Sequence, residues 1–76
     1  MSDRRDGSSV KRERLQKMHR MLKGVGDVNL DRFLAACSYT LGLTHGTALK
    51  YLKDLAMLGL VELDEEEKVV REVVMA

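Results

Sequence analysis

Seventy-six residues, 45% of them hydrophobic and 33% charged, predict one domain, because a chain this short buries only roughly 60% of the surface that it exposes when unfolded. One cysteine excludes an internal disulfide and, without Cys/His pairs at ligand spacing, a structural zinc, which points to a reducing, cytoplasmic setting. No apolar run approaches the ~20 residues of a membrane-spanning helix and no secretory signal pattern opens the chain, while the net charge of +1 hides a division of +5 over 1–23, 0 over 24–61 and −4 over 62–76.

Residues 1–8 are polar and charged with nothing to bury, so they read as a mobile basic arm before a single domain over 9–76. From Ser9, a plausible N-cap, Leu15, Met18 and Leu22 recur at helical spacing among Lys and Arg, predicting a first helix over about 9–23 that Gly24 ends. A short strand is expected near 28–30. Asp31 is then an acceptable cap for a second helix over 31–41, with Leu34, Cys37 and Leu41 as its apolar stripe. Gly42-Leu43-Thr44 reads as a tight corner, glycine allowing a positive backbone angle and Thr44 capping a third helix over 44–58. There Ala48, Leu52 and Leu55 share the inner face, flanked by Tyr51 and Leu58, and Gly59 supplies the stop. Beyond it the period changes, and a β-hairpin over about 60–64 and 68–74 is favoured. Val69, Val70, Val73 and Val74 also fit helical spacing. The expected class is therefore α+β.

The stretch Leu41-Gly42-Leu43-Thr44-x-x-Thr47-Ala48-x-x-Tyr51-Leu52-x-x-Leu55-x-x-x-Gly59-Leu60-Val61 resembles the second half of many winged helix-turn-helix regulators of bacteria and archaea. The resemblance is close over that stretch and loose over the rest of the domain. It implies a double-stranded DNA partner, with the start of the third helix in the major groove, an opening ~12 Å wide that accepts one helix.

With Ala48, Leu52 and Leu55 inward, the helical advance puts Gly46, Lys50, Lys53 and Met57 outward, with His45 and Thr47 beside them. Lysines on a helix face are ordinary solvent-facing residues. In this corner, Lys50 and Lys53 would instead reach guanine edges or phosphates, and Gly46 would let the backbone approach closely. Thr44 and the first-turn amides would hold a phosphate at the positive end of the helix dipole. Tyr39 on the second helix and Arg12 on the basic first helix would add backbone contacts. Such a protein is expected to be a small transcriptional regulator or a chromatin- or replication-associated factor, on the nucleoid if it binds DNA. Many such regulators pair as homodimers across palindromic sites, and for such a homodimer the valine-rich end and the first helix hold the few surplus apolar residues.

Two features depart from the family pattern. The hairpin tip reads Asp64-Glu65-Glu66-Glu67, which phosphate repels, and Leu49 stands at the edge of the exposed face. Both suit the alternative reading, an accessory module that docks on a larger transcription or replication protein through the acidic tip or through Leu49 and Met57. Enzymatic readings lack parts. No glycine-rich phosphate loop, catalytic triad spacing or ligand cluster is legible, so no cofactor and no metal is expected. Cys37 falls on an apolar stripe as a small hydrophobe.

Overall fold

The structure, a computed structural model, describes residues 7–74. Its order is α1 (Gly7–Leu22), β1 (Val28–Asn29), α2 (Leu30–Leu41), α3 (His45–Met57), β2 (Val61–Asp64) and β3 (Val69–Glu72). Three helices and a three-stranded antiparallel sheet make the α+β class expected from the sequence. Among the described residues no helix is long and apolar enough to cross a membrane.

Each helix buries the stripe that its spacing marked. Met18 and Leu22 of α1, Leu34 and Cys37 of α2, and Ala48, Leu52 and Leu55 of α3 all lie in the core, and Leu15 and Leu41 pack against it. Helix starts depart from expectation twice. The first helix begins at Gly7 rather than Ser9, so only residues 1–6 of the expected arm are left, and they lie outside the described residues. Helix α2 is capped by Asn29, not Asp31: the Asn29 side chain accepts the Arg32 N–H at 3.0 Å, and Asp31 sits in the first turn, where a carboxylate suits the helix dipole. The earlier start makes Leu30 helical and turns it into the core, where it is 5% exposed. The expected strand at 28–30 accordingly closes at Asn29.

The corner between α2 and α3 is built as its residues suggest. Gly42 takes a φ of 71°, a left-handed value that glycine adopts without strain, and its N–H donates to the Ser38 carbonyl. The Ser38 hydroxyl donates to the Leu43 carbonyl at 2.6 Å, Leu43 is buried, and the Thr44 hydroxyl accepts the Thr47 N–H at 3.2 Å. The corner thus fixes how α3 leaves the domain.

In the sheet the order is β1-β3-β2, so the last strand in the chain is the central one. Val28, Val70 and Leu63 stand opposite one another across the three strands, and with Val61 they turn one face to the helices. The strands of the hairpin are shorter than expected. Lys68 has a φ of 58° and belongs to the turn, while Val73 keeps one more pairing bond, its N–H to the Leu60 carbonyl at 3.0 Å, and Val74 is exposed. Pairing with a strand on each side, not alternation of burial, makes this segment a strand: Val70 is buried and its neighbours are half-buried.

On the outer face Arg71 makes a clamp that no local pattern announces. Its Nε and Nη2 donate to the two carboxylate oxygens of Asp27, at 2.7 and 3.2 Å, and Nη1 donates to Glu62 at 2.6 Å. The hydrogen bond from Arg71 holds the Asp27 carboxyl below its ordinary range. A carboxylate whose folded pKa is depressed adds stability above its unfolded pKa and loses it as pH falls through the folded value. Asp27→Asn is therefore expected to lower the melting temperature slightly at pH 7, the effect being small because the pair is exposed, and to lower it by less as the pH falls toward about 2 and wild type loses the charge. Thermal melts of both proteins at the two pH values check this; an equal deficit at both would remove the clamp from the account.

Candidate nucleic-acid interface

Helix α3 has one face in the core and one in solvent, divided as the spacing requires. Ala48, Leu52 and Leu55 are at most 1% exposed, whereas His45, Gly46, Lys50, Lys53 and Met57 are exposed. Thr44 at the cap is exposed too, and Thr47 is half-buried with its hydroxyl 3.0 Å from that of Thr44. The cap uses the Thr47 amide, and Ala48 donates to the Thr44 carbonyl at 2.9 Å. The amides of His45 and Gly46 have no carbonyl of the helix before them, so the positive end of the helix dipole opens to solvent there.

Lys50, Lys53 and Thr47 line a shallow groove together with Lys11, Tyr51 and Asp54, between α1 and α3. The three lysines in it differ in what holds them. Lys11 pairs with Asp54 at 2.8 Å, with its ammonium 5.5 Å from the centre of the Tyr51 ring, and the hydrogen bond to Asp54 raises its pKa. Lys53 lies 3.7 Å from Glu65 at the hairpin tip, a contact about half exposed on both sides that water largely screens. Lys50 has no ion-pair partner among the described residues.

The other two residues expected at the site lie apart from this groove. Tyr39 is 93% exposed on α2, and Arg12 is exposed on α1, next in sequence to Lys11. One flanking position is corrected by the structure. Leu58 does not flank the core, being 66% exposed just beyond α3, because the helix ends at Met57 and the chain turns through Gly59 at a φ of 79°. Leu49 is half-buried and packs against the core, at the edge of the exposed face where its spacing placed it.

Sequence reasoning missed the pairings of Lys11 and Lys53. Both join residues distant in the chain, and only the positions of Asp54 and Glu65 on the assembled fold disclose them. The Glu67 N–H donates to the Asp64 carboxylate at 3.0 Å, which closes the acidic turn locally. Among the described residues no three His, Cys, Asp or Glu side chains come together as a metal ion would require.

Cys37 is fully buried, and desolvation pushes its thiol up to about 11. At pH 8 about one molecule in a thousand then carries the reactive thiolate. Native protein is expected to resist an aromatic disulfide reagent and to react at once in denaturant. Prompt reaction of the native protein would show that α2 opens readily or that the thiol is not buried.

No protein-family model, no curated protein and no solved structure matches the chain.

Proposed function

We propose that the chain is a winged helix-turn-helix protein that binds double-stranded DNA, with α3 in the major groove. The observation that carries this reading is the division of α3. A helix held to the core by Ala48, Leu52 and Leu55, and set by a three-residue corner after α2, turns His45, Gly46, Lys50 and Lys53 to solvent. In this reading Lys50 and Lys53 meet phosphates or guanine edges, Thr44 and the amides of His45 and Gly46 meet a phosphate, and Thr47, Tyr39 and Arg12 extend the contact. The hairpin is the wing. Its sole arginine is occupied by Asp27 and Glu62, which leaves Lys68, in an acidic turn, as its one cation without an ion pair among the described residues, so α3 carries the contact. A small regulator or a chromatin- or replication-associated factor, resident on the nucleoid in the cytoplasm, fits such an interface.

A second reading has specific observations behind it. Met57 is 86% exposed and Leu58 66%, side by side at the end of α3, and the tip beyond β2 is acidic. An accessory module docking on a larger protein would use that end.

Fluorescence anisotropy with a labelled duplex separates the two. Lys50→Ala is expected to weaken binding by about tenfold or more, and to make its salt dependence shallower by about one unit of log affinity per log salt. Replacing Glu65, Glu66 and Glu67 together by glutamine is expected to leave affinity unchanged or to raise it, because repulsion from phosphate is removed and Lys53 is released. No duplex binding by wild type at low salt, with a cellular protein captured by wild type and lost in the triple variant, would favour the docking module. Loss of duplex binding in the triple variant contradicts both readings.

A further inference from the structure

We infer that the outer face of α1 is a docking surface for the acidic hairpin tip of a second copy of this chain, giving head-to-tail association. Helix α1 carries Lys11, Arg12, Arg14, Lys17 and Arg20 against Glu13 alone. Of these only Lys11 has an ion-pair partner among the described residues, and that partner, Asp54, lies on α3. The contact sets the rotation of α1. Nine residues at about 100° each put Arg20 on the opposite side of the helix from Lys11, so Arg20 is turned away from α3. One shallow hollow beside Arg20 is lined by Lys17, Met21, Thr40 and Leu41, and another by Gln16, His19 and Lys23. No carboxylate lines either of them.

The complementary surface is on the same chain and cannot reach this one. Glu65 lies on the Lys53 side of the tip, and the Lys68 carbonyl accepts the Leu30 N–H at 2.8 Å, which ties the turn to the start of α2. Glu66 and Glu67 are exposed and have no cation partner among the described residues. Opposite charges fixed on separated faces attract between molecules, and a net charge of +1 leaves little overall repulsion to oppose it. The contact joins two different patches and is heterologous, so it leaves a free face at each end and adds further copies as concentration rises. Because the partner is the chain itself, the inference does not depend on DNA binding.

Sedimentation velocity without nucleic acid tests it. Wild type is expected to gain mass with concentration at about 20 mM salt, and to return to the monomer mass at about 500 mM, where the screening length shrinks to roughly 4 Å. Two variants break one patch each, Arg20→Ala with Lys23→Ala, and Glu66→Gln with Glu67→Gln. All four side chains are exposed, and circular dichroism confirms that both variants remain folded. Each alone is expected to stay monomeric at low salt, while their mixture reaches twice the monomer mass and stops, since only one joint can form. A monomeric wild type at low salt overturns the inference. So does a mixture no heavier than its parts, or association that survives high salt, which would implicate the apolar end at Met57 and Leu58. Association of wild type only when duplex is added also overturns it and makes the α1 face a nucleic-acid surface.

Discussion

Leu52→Ala is expected to lower the unfolding free energy by about 2–5 kcal/mol, which would leave much of the population unfolded near physiological temperature. Leu52 is fully buried, in a cluster that joins all three helices to Val61 and Val70 of the sheet. Truncation removes packed methyl groups and leaves a cavity that the rigid corner at Gly42-Leu43-Thr44 restricts from collapsing. On the same helix, Lys50→Ala is expected to change stability by less than about 0.5 kcal/mol, because an exposed lysine without an ion pair loses little on truncation. Urea titrations of the two variants and wild type measure the contrast. Equal destabilisation would mean that α3 is rotated relative to the facing described above.

Affinity for duplex DNA is expected to fall about 40-fold when salt rises fourfold, from about 50 to 200 mM. That follows from about three neutralised phosphates, each releasing condensed counterions, and a slope of log affinity on log salt near −2.7. Lys50, Lys53 and Arg12 are the cations proposed for those contacts, while the amides at the start of α3 add a neutral, salt-insensitive one. The effect is large because phosphate contacts are the salt-dependent part of binding. Anisotropy at three or four salt concentrations gives the slope. A slope near −1 would mean that the lysine face touches no more than one phosphate, and the proposed docking of α3 would have to be abandoned.

Much of the fold was legible because apolar spacing is a local signal. Leu15, Met18 and Leu22, then Leu34 and Cys37, then Ala48, Leu52 and Leu55 each marked a helix and its inner face before any contact was known. Thr44 was legible as a cap because hydroxyl and amide lie three residues apart. Asn29 and Asp31 are equally good caps by chemistry. What separates them is the burial of Leu30, which depends on where the core lies. The pairing of β1 with β3 rather than β2 was likewise beyond local reasoning. Of the candidate site, the outward face of α3 was legible from its inward one. The occupancy of Lys53 by Glu65 and of Arg71 by Asp27 and Glu62 was not, since charge pairing across a fold leaves no periodic trace in sequence. Leu58 followed the helical period past the point where α3 stops, and so was expected inside.

The central position of β3 has a consequence for the order in which this molecule can assemble. Both of its neighbours precede it in the chain, β1 by a long interval: Asp27 and Arg71, joined by the clamp, are 44 positions apart, and Gly24 donates to the Glu72 carboxylate across 48. During synthesis the three helices can emerge and collapse on one another while the sheet still lacks the strand that its other two must share. Val28 and Val61 then wait with open backbone edges until residue 72 has cleared the ribosome. Closing loops of that length is slow relative to forming helices. The nascent chain is thus a helical cluster first and a complete domain only once β3 has emerged, and this interval is when exposed strand edges must be kept from pairing with other chains.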